Sequence, residues 1–562
     1  MGTSTNAMTP RRTIVAGAGV LAVAAGALVG FAPAPPAGAS TTPTQVVWSS
    51  CPQYSDGAIA SLGIPADQLA AFRDLLARTR CGTVQVPLDY AHPNGTKITI
   101  AVTRLTATDQ THKLGTIVMN PGGPGGSGYL MPQTLALHSP QVASLLDRYD
   151  MVGFDPRGVG YSTKVDCPPP GGGSGPIATP SGPISEATAK QVYAGQVSVN
   201  QACWRSNPIF LGQLTTANVA RDLDQVRQAM HLSRISYFGV SWGTLLGSVY
   251  RSMFAPTVAR MWLDSVVGPD ANRLDVRDHD TTAAQEQDAA RWAAWAAARH
   301  ATYGLGSTAG EVETLVKGLA AKLDADPIGF SDVPGVTLDG SFIAFLAAVP
   351  SPVWSHATEA MKEMTTARNG ETAPPTIAPI ISPPPADTTP PPADAPEQIN
   401  PIANAAILCN DDTGPHDFAT FWSGYQSLQR EYPMTARLGT ITEPCAGWPV
   451  PTEPFHLRKV AGSLEMSAHR YESTTPYPWA GQMRSVIGGM VFTVEDDIHG
   501  SLPFVADCAT HMAAYFMTGR PDTGQCQGIA ASDTAAAVQT DATSAVSTRR
   551  MPTGNRWRWR TH

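Results

Sequence analysis

The segment Gly239-Val240-Ser241-Trp242-Gly243 limits what this chain can fold into more than any other stretch. It has the form Gly-x-Ser-x-Gly. An apolar, strand-like run over residues 235–239 precedes it, and an apolar helical pattern over 244–253 follows. A serine between a strand and a helix stands on a sharp, strained turn, and only small residues two positions to either side avoid a clash. The turn exposes the hydroxyl above the sheet edge, and the helix N-terminus points its dipole and free N–H groups at the same place. The pattern predicts Ser241 as a nucleophile.

The flanking sequence supplies the context that this motif requires. Residues 83–87 and 98–102 alternate as paired strands about an Asn94-Gly95 turn. Further strands are expected at 116–119, 150–154 and near 261–267. Val219, Leu223, Val226 and Met230 form one stripe of a helix over 216–232. Strands alternating with helices imply a mostly parallel sheet covered on both faces, here the α/β-hydrolase fold. The core is expected over 40–268 and again over 450–527. Between them, 269–449 reads as an inserted, mainly helical cap, with helices at 285–301 and 310–323. Its Pro-rich stretch 374–397 lacks the apolar content to pack and reads as an extended surface loop. Residues 528–562 read as a flexible tail.

Arg11 and Arg12, the apolar run 14–31 and Ala37-Gly38-Ala39 read as an export signal over 1–39, with cleavage before Ser40 and no stable membrane insertion afterwards. The paired arginines hint at the twin-arginine route. An exported protein suits the eight cysteines, an even number without a CxxC pair, as disulfides rather than a zinc or redox motif. Nearest-neighbour pairing gives 51–81, 167–203, 409–445 and 508–526, one of 105 connectivities. The 562 residues carry a net charge of −8, and a nucleic-acid partner would need clustered positive charge. Hydrophobic residues at 43% and charged residues at 15% allow a substantial core.

A serine hydroxyl needs a base, and in this fold the chain order is serine, acid, histidine. Of thirteen histidines, His499 lies just past the expected strand 490–494, where the base belongs. His469 precedes the candidate acid and His511 reads as helical. Glu472 is the expected acid, holding the imidazole in one tautomer. Asp264, at the end of the strand after the nucleophile helix, is the alternative, and Asp496 and Asp497 are too close in sequence to reach behind the ring. The oxyanion is expected to meet the backbone N–H groups of Trp242 and, from the cluster Asn120-Pro121-Gly122-Gly123-Pro124-Gly125-Gly126-Ser127-Gly128, of Gly123, with Gly122 next to it. That cluster lacks the Gly-Lys-Ser/Thr ending of a phosphate loop. No metal or organic cofactor is required.

Asn120 to Gly125, Asp155-Pro156-Arg157-Gly158-Val159-Gly160 and Gly239 to Thr244 together resemble the secreted tripeptidyl aminopeptidases and proline iminopeptidases of actinobacteria. Val86-Pro87-Leu88-Asp89-Tyr90 is similar to their opening strands. Glu472 to Pro476, His499, and Cys508 with Cys526 are similar to their C-terminal region. The chain departs from the family pattern in carrying Glu472 where Asp is usual, and Ile-His-Gly where Gly-His-Gly is usual. The resemblance implies cleavage of short peptides from a free N-terminus. Such an enzyme must neutralise an α-ammonium with buried acids. Asp411 and Asp412 are the candidates, although Asn410-Asp411-Asp412 equally suits a turn or a helix start. The rival readings are an esterase or lipase with the same triad, and a non-catalytic binding protein on a hydrolase scaffold.

Overall fold

The run that leads to Ser241 is a strand in the interior of a large sheet. A computed structural model describes residues 45–167, 184–382, 392–439, 442–449 and 455–531, all inside one unit that spans Thr44–His562. The expected export signal, part of the Pro-rich stretch (383–391) and nearly all of the tail (532–562) lie outside the described residues. In chain order the strands are β1 (Val47–Ser49), β2 (Thr79–Pro87), β3 (Lys97–Leu105), β4 (Gly115–Asn120), β5 (Tyr149–Phe154), β6 (Ile235–Val240) and β7 (Val258–Asp264). They continue with the hairpin β8 (Ile328–Phe330) and β9 (Val333–Leu338), then β10 (Ser463–His469), β11 (Met490–Val494) and β12 (Gln525–Cys526). Apart from β8 and β9, these described strands form one sheet in the order β1-β2-β3-β5-β4-β6-β7-β10-β11-β12. β1, β2, β3 and β5 pair antiparallel in turn, and every pair from β5 through β12 is parallel. This is the α/β-hydrolase architecture that the sequence predicts.

Every residue of β5 and β6 is buried, as expected where helices cover both faces of a parallel sheet. Neighbouring residues of a strand serve opposite faces. Tyr237 belongs to a core with Val118, Val152 and Leu263, and with Leu246 and Val249 of the helix α2 described below. Phe238 belongs to another core with Ile117, Met151, Trp262 and Phe492. Five helices bear on the site: α1 (Thr216–Ala229), α2 (Trp242–Phe254), α3 (Leu274–Ala297), α4 (Pro401–Asp411) and α5 (Ala506–Thr518).

Between β7 and β10 the chain is mainly helical and builds a core of its own from residues such as Trp292, Val316, Phe342 and Met361. Two boundaries here differ from the periodicity reading. The strand expected near 261–267 is Val258–Asp264, because Ser265 turns the backbone to a φ of 55°. The helix expected over 285–301 begins at Leu274. Its first turns carry Asp275, Arg277, Asp278, His279 and Asp280, so no apolar stripe announces them. The early Pro-rich residues also do more than run along the surface. Ile377, Ile380 and Ile381, at helical spacing, are buried about the short helix Ala378–Ile381. A 21-residue helix, Glu186–Ser206, was not foreseen.

Disulfides join Cys51 to Cys81, Cys167 to Cys203, Cys409 to Cys445 and Cys508 to Cys526, the nearest-neighbour pattern. Among the described residues no helix is long and apolar enough to cross a membrane.

Candidate active site

Register brings four strand ends to one edge. Val240 of β6 pairs with Asp264 of β7, Ser467 of β10 pairs with the same Asp264, and His469 pairs with Val494 of β11. The residues that follow these ends are Ser241, Ser265, Glu472 and His499. Parallel strands make this convergence automatic, because all of their C-terminal ends lie on one side.

Ser241 holds φ 60° and ψ −131°, a positive-φ conformation that L-residues avoid. Its N–H donates to Asp264 O at 3.0 Å, and Thr244 N and Oγ1 both donate to its carbonyl, at 2.8 and 2.7 Å. The two flanking glycines are sterically required. A Cβ on Gly239 would lie 2.4 Å from Gly243 O, and one on Gly243 would lie 2.6 Å from Asn120 O. α2 starts at Trp242, so its N-terminal amides border the serine.

Glu472 and His499 meet directly, Glu472 Oε1 against His499 Nδ1. The same Oε1 accepts from Thr475 N at 3.1 Å and Thr475 Oγ1 at 2.8 Å. The other oxygen, Oε2, accepts from Ser265 Oγ at 2.9 Å, and Ser265 Oγ in turn accepts from Gly500 N at 2.8 Å. Glu472 is therefore buried and fully engaged, and it takes up Nδ1 of the ring.

The alternatives considered for base and acid are committed elsewhere. Asp264 Oδ1 lies 3.0 Å from His469 Nε2, and Asp496 Oδ1 lies 2.6 Å from His469 Nδ1. Asp497 accepts from Arg291 Nη2 at 2.5 Å and from Ser351 N and Oγ, each at 2.9 Å. His511 sits on α5 beside Asp522, with its ring against Phe492.

The glycine loop after β4 folds over the elbow. A Cβ on Gly122, whose φ is 95°, would fall 2.4 Å from Val240 O and 2.9 Å from Trp242 N. The Gly122 N–H donates to Asn120 Oδ1 at 3.0 Å, so that donor is taken up within the loop. Ser127 of this loop donates to the buried Asp155 at 2.5 Å, whose carboxyl burial pushes up to about 7. Two residues on, Arg157 is fully buried in a bidentate pair with Asp222, both contacts 2.7 Å, and donates to Pro87 O and Leu88 O. The Asp-Pro-Arg-Gly motif thus braces the loop roots.

Asp411 and Asp412, expected as partners of an α-ammonium or as part of a turn or helix start, both bond donors at helix starts. The Asp411 carboxylate is taken up at the start of α1, accepting from Thr216 N at 3.1 Å and Thr216 Oγ1 at 2.5 Å. Asp412 accepts from Gly414 N at 2.6 Å and Leu274 N at 3.4 Å. Both act as caps, because a helix N-terminus leaves donors that a buried carboxylate satisfies. Thr216 Oγ1 also accepts from the Trp242 indole at 3.0 Å, so Asp411 stands one link behind Trp242, the residue next to Ser241. The sequence reading missed the surrounding charges. His416 Nδ1 lies 3.2 Å from Glu443 Oε1 and 3.8 Å from Asp412 Oδ2. The half-buried Asp278 is pushed up to about 6 by desolvation, with Glu443, Asp412 and Asp275 adding like charge. Asp412, His416 and Cys445 lie within 4.8 Å of one another, but Cys445 is disulfide-bonded and offers no thiolate.

Arg291 of α3 was also missed. Its guanidinium bonds Asp288 and Asp497 and stacks on Tyr471 and Trp354, 4.1 and 4.6 Å from the ring centres. It forms one wall of a cavity of about 320 Å³ that reaches Glu472, Tyr477 and Trp479.

The comparisons with known proteins agree with this architecture. Residues 115–299 match the family described as alpha/beta hydrolase fold, and residues 432–527 match the family described as TAP-like protein. A tripeptidyl aminopeptidase of Streptomyces lividans is 32% identical over 476 residues, which cover 82% of this chain and 86% of that protein. The serine protease Hip1 of Mycobacterium tuberculosis is 28% identical, covering 78% of this chain and 85% of that protein. A carboxylesterase B of the same species is 29% identical, covering 89% and 94%. The chain is a hydrolase of the α/β-hydrolase fold and belongs to the tripeptidyl aminopeptidase family.

Proposed function

We propose that the chain is an exported serine exopeptidase that releases short peptides from a free N-terminus by acyl transfer. The observation that carries this reading is the Glu472–His499 pair at the strand edge where Ser241 stands, tied through Ser265 to the strand beside the nucleophile's own. With Nδ1 facing Glu472, Nε2 of His499 takes the proton as Ser241 Oγ attacks the substrate carbonyl. The N–H groups of Trp242 and Gly123 receive the oxyanion. His499 then passes its proton to the leaving amine, and a water attacks the acyl ester by the same route in reverse.

The region 269–449 would serve as the cap that closes behind the first residues of the peptide. The substrate's α-ammonium calls for anionic partners. The acids about the start of α3, Asp278 with Asp412 and Glu443 behind it, support that role better than Asp411 does. Four disulfides support export to an oxidising compartment.

A secreted esterase with the same triad is the second reading, favoured by the carboxylesterase B relative. Hydrolysis of a free tripeptide p-nitroanilide, its N-acetylated form and p-nitrophenyl esters separates the two. The exopeptidase reading expects the free-amine peptide to be cleaved and acetylation to lower kcat/KM by at least about 10²-fold, a missing charged contact of about 3 kcal/mol. Equal rates with and without the acetyl group overturn it.

A further inference from the structure

Below the candidate site lies a second carboxylate–imidazole arrangement that the acyl-transfer chemistry does not use. His469, Asp264 and Asp496 are all buried; His469 and Asp264 have no exposed surface at all. The ring is bonded at both nitrogens to carboxylates, at 2.6 Å to Asp496 Oδ1 and 3.0 Å to Asp264 Oδ1. Two buried carboxylates around one neutral imidazole would be prohibitively desolvated, and only the imidazolium offers a donor to each. The Coulomb field of both carboxylates accordingly holds the His469 proton well above the ordinary histidine range, against the opposing effect of burial.

Each member is attached to a different part of the candidate site. Asp264 is the last residue of β7; its carbonyl accepts the Ser241 N–H at 3.0 Å, and Ser265 follows it. His469 is the last residue of β10, three residues before Glu472, and its carbonyl accepts the Glu472 N–H at 3.3 Å. Asp496 begins the loop that carries His499. It also accepts from Ser501 Oγ at 2.6 Å, from Ile498 N at 3.3 Å and from Ile529 N at 3.0 Å, so it grips the His499 loop on both sides. Ser467 Oγ adds a bond to Asp264 Oδ1 at 2.6 Å, and Ser501 Oγ lies 3.4 Å from His469 Nδ1. Among the described residues Asp264 Oδ2 has no hydrogen-bond partner. A buried charged triad is weak as a source of stability but well suited to fixing one arrangement of the loops that meet on it.

We propose that His469 is a positioning residue. By bridging Asp264 and Asp496 it fixes the relative placement of the three segments that present Ser241, Glu472 and His499, without touching substrate. This rests on the triad reading above.

The test measures kcat and KM on a tripeptide p-nitroanilide for wild type, His469→Gln and Asp264→Asn, with rates normalised to the serine titrated by a fluorophosphonate, and for Ser241→Ala, which has no serine to titrate, with rates normalised to protein concentration. The glutamine introduced by His469→Gln can donate to a carboxylate but carries no charge. The asparagine introduced by Asp264→Asn keeps the Oδ1 contacts and places its amide where Oδ2 stands. The expected result is a kcat per titrated site lowered about 10²-fold in His469→Gln, the scale of an ångström-sized misplacement of reacting groups, with KM within about threefold of wild type. Asp264→Asn is expected to lose about fivefold in kcat with KM unchanged. A role in stability alone would lower the melting temperature and the titratable fraction but leave kcat per site intact, and that outcome overturns the proposal. If His469→Gln does not fold, Asp264→Asn decides: wild-type kcat per site overturns the proposal, and a selective loss of kcat supports it. Full activity in Ser241→Ala would sink the triad reading, and this inference with it. Loss there, alongside an intact His469→Gln, sinks only the inference.

Discussion

Ser265 Oγ donates to Glu472 Oε2 at 2.9 Å while accepting the Gly500 N–H at 2.8 Å. One hydroxyl at the end of β7 therefore holds both the candidate acid and the residue after the candidate base. Ser265 reaches this position because its backbone turns to positive φ at the strand end. A hydrogen bond to a charged group contributes about 1.5 kcal/mol. Ser265→Ala should lower kcat/KM about tenfold, with most of the loss in kcat, and steady-state kinetics on a peptide nitroanilide would detect it. A rate within about twofold of wild type would remove Ser265 from the account.

Glu472→Gln keeps the volume but replaces the acceptor that orients His499 Nδ1–H. The amide can favour the wrong tautomer, so kcat should fall by about 10³–10⁴-fold. Fluorophosphonate labelling of Ser241 should slow in parallel, since it depends on the same activated hydroxyl. Unimpaired labelling would remove Glu472 as the acid.

The elbow tolerates no added methyl. In Gly243→Ala the new Cβ would meet Asn120 O at 2.6 Å, and in Gly122→Ala it would meet Val240 O at 2.4 Å in a positive-φ backbone. Each should cost about 1–3 kcal/mol of stability and most of the activity. Thermal melts with active-site titration would measure both effects. Gly310→Ala, where the added atom meets nothing within 4 Å, is the matched control.

Asp278 should matter to substrate binding rather than to chemistry. Asp278→Asn is expected to raise KM for a free-amine peptide about tenfold, for a lost charged contact of about 1.4 kcal/mol, and to leave p-nitrophenyl ester hydrolysis unchanged. An equal effect on both substrates would place Asp278 outside ammonium recognition.

Asp411 predicts a pH dependence of stability. Burial, the largest influence, raises its carboxyl from 3.8 to about 7, against the lowering bonds from Thr216. The folded state thus holds this proton more tightly than the unfolded chain does. The contribution to stability is fully present below about pH 4 and is lost as pH rises through about 7. Asp411→Asn should flatten that part of the profile of melting temperature against pH, between about 4 and 7. An unchanged slope would show that Asp411 does not titrate in this window.

The Gly-x-Ser-x-Gly turn and the strand rhythm were legible in the sequence because their physics is local. A strand–serine–helix turn needs small neighbours, and β6 and α2 are dense apolar runs that advertise themselves. Glu472 and His499 could be nominated because parallel strands must end on one edge, so chain order carries spatial information. Asp411 and Asp412 show the limit. A pair of acids beside a cysteine reads alike whether it meets a ligand or caps a helix, and the choice falls to Thr216 and Leu274, which approach from elsewhere in the chain. The first turns of α3 carry no stripe because their residues are mostly charged; Asp275 pairs with the nearby Arg273, and Asp280 accepts from the distant Trp479 indole. The His469 clamp was likewise out of reach, since its three members lie on different segments and acquire a shared role only when β7, β10 and the His499 loop close around them. Residue spacing decides which backbone forms, whereas the environment of a buried charge is set by whichever residues long-range packing delivers to it.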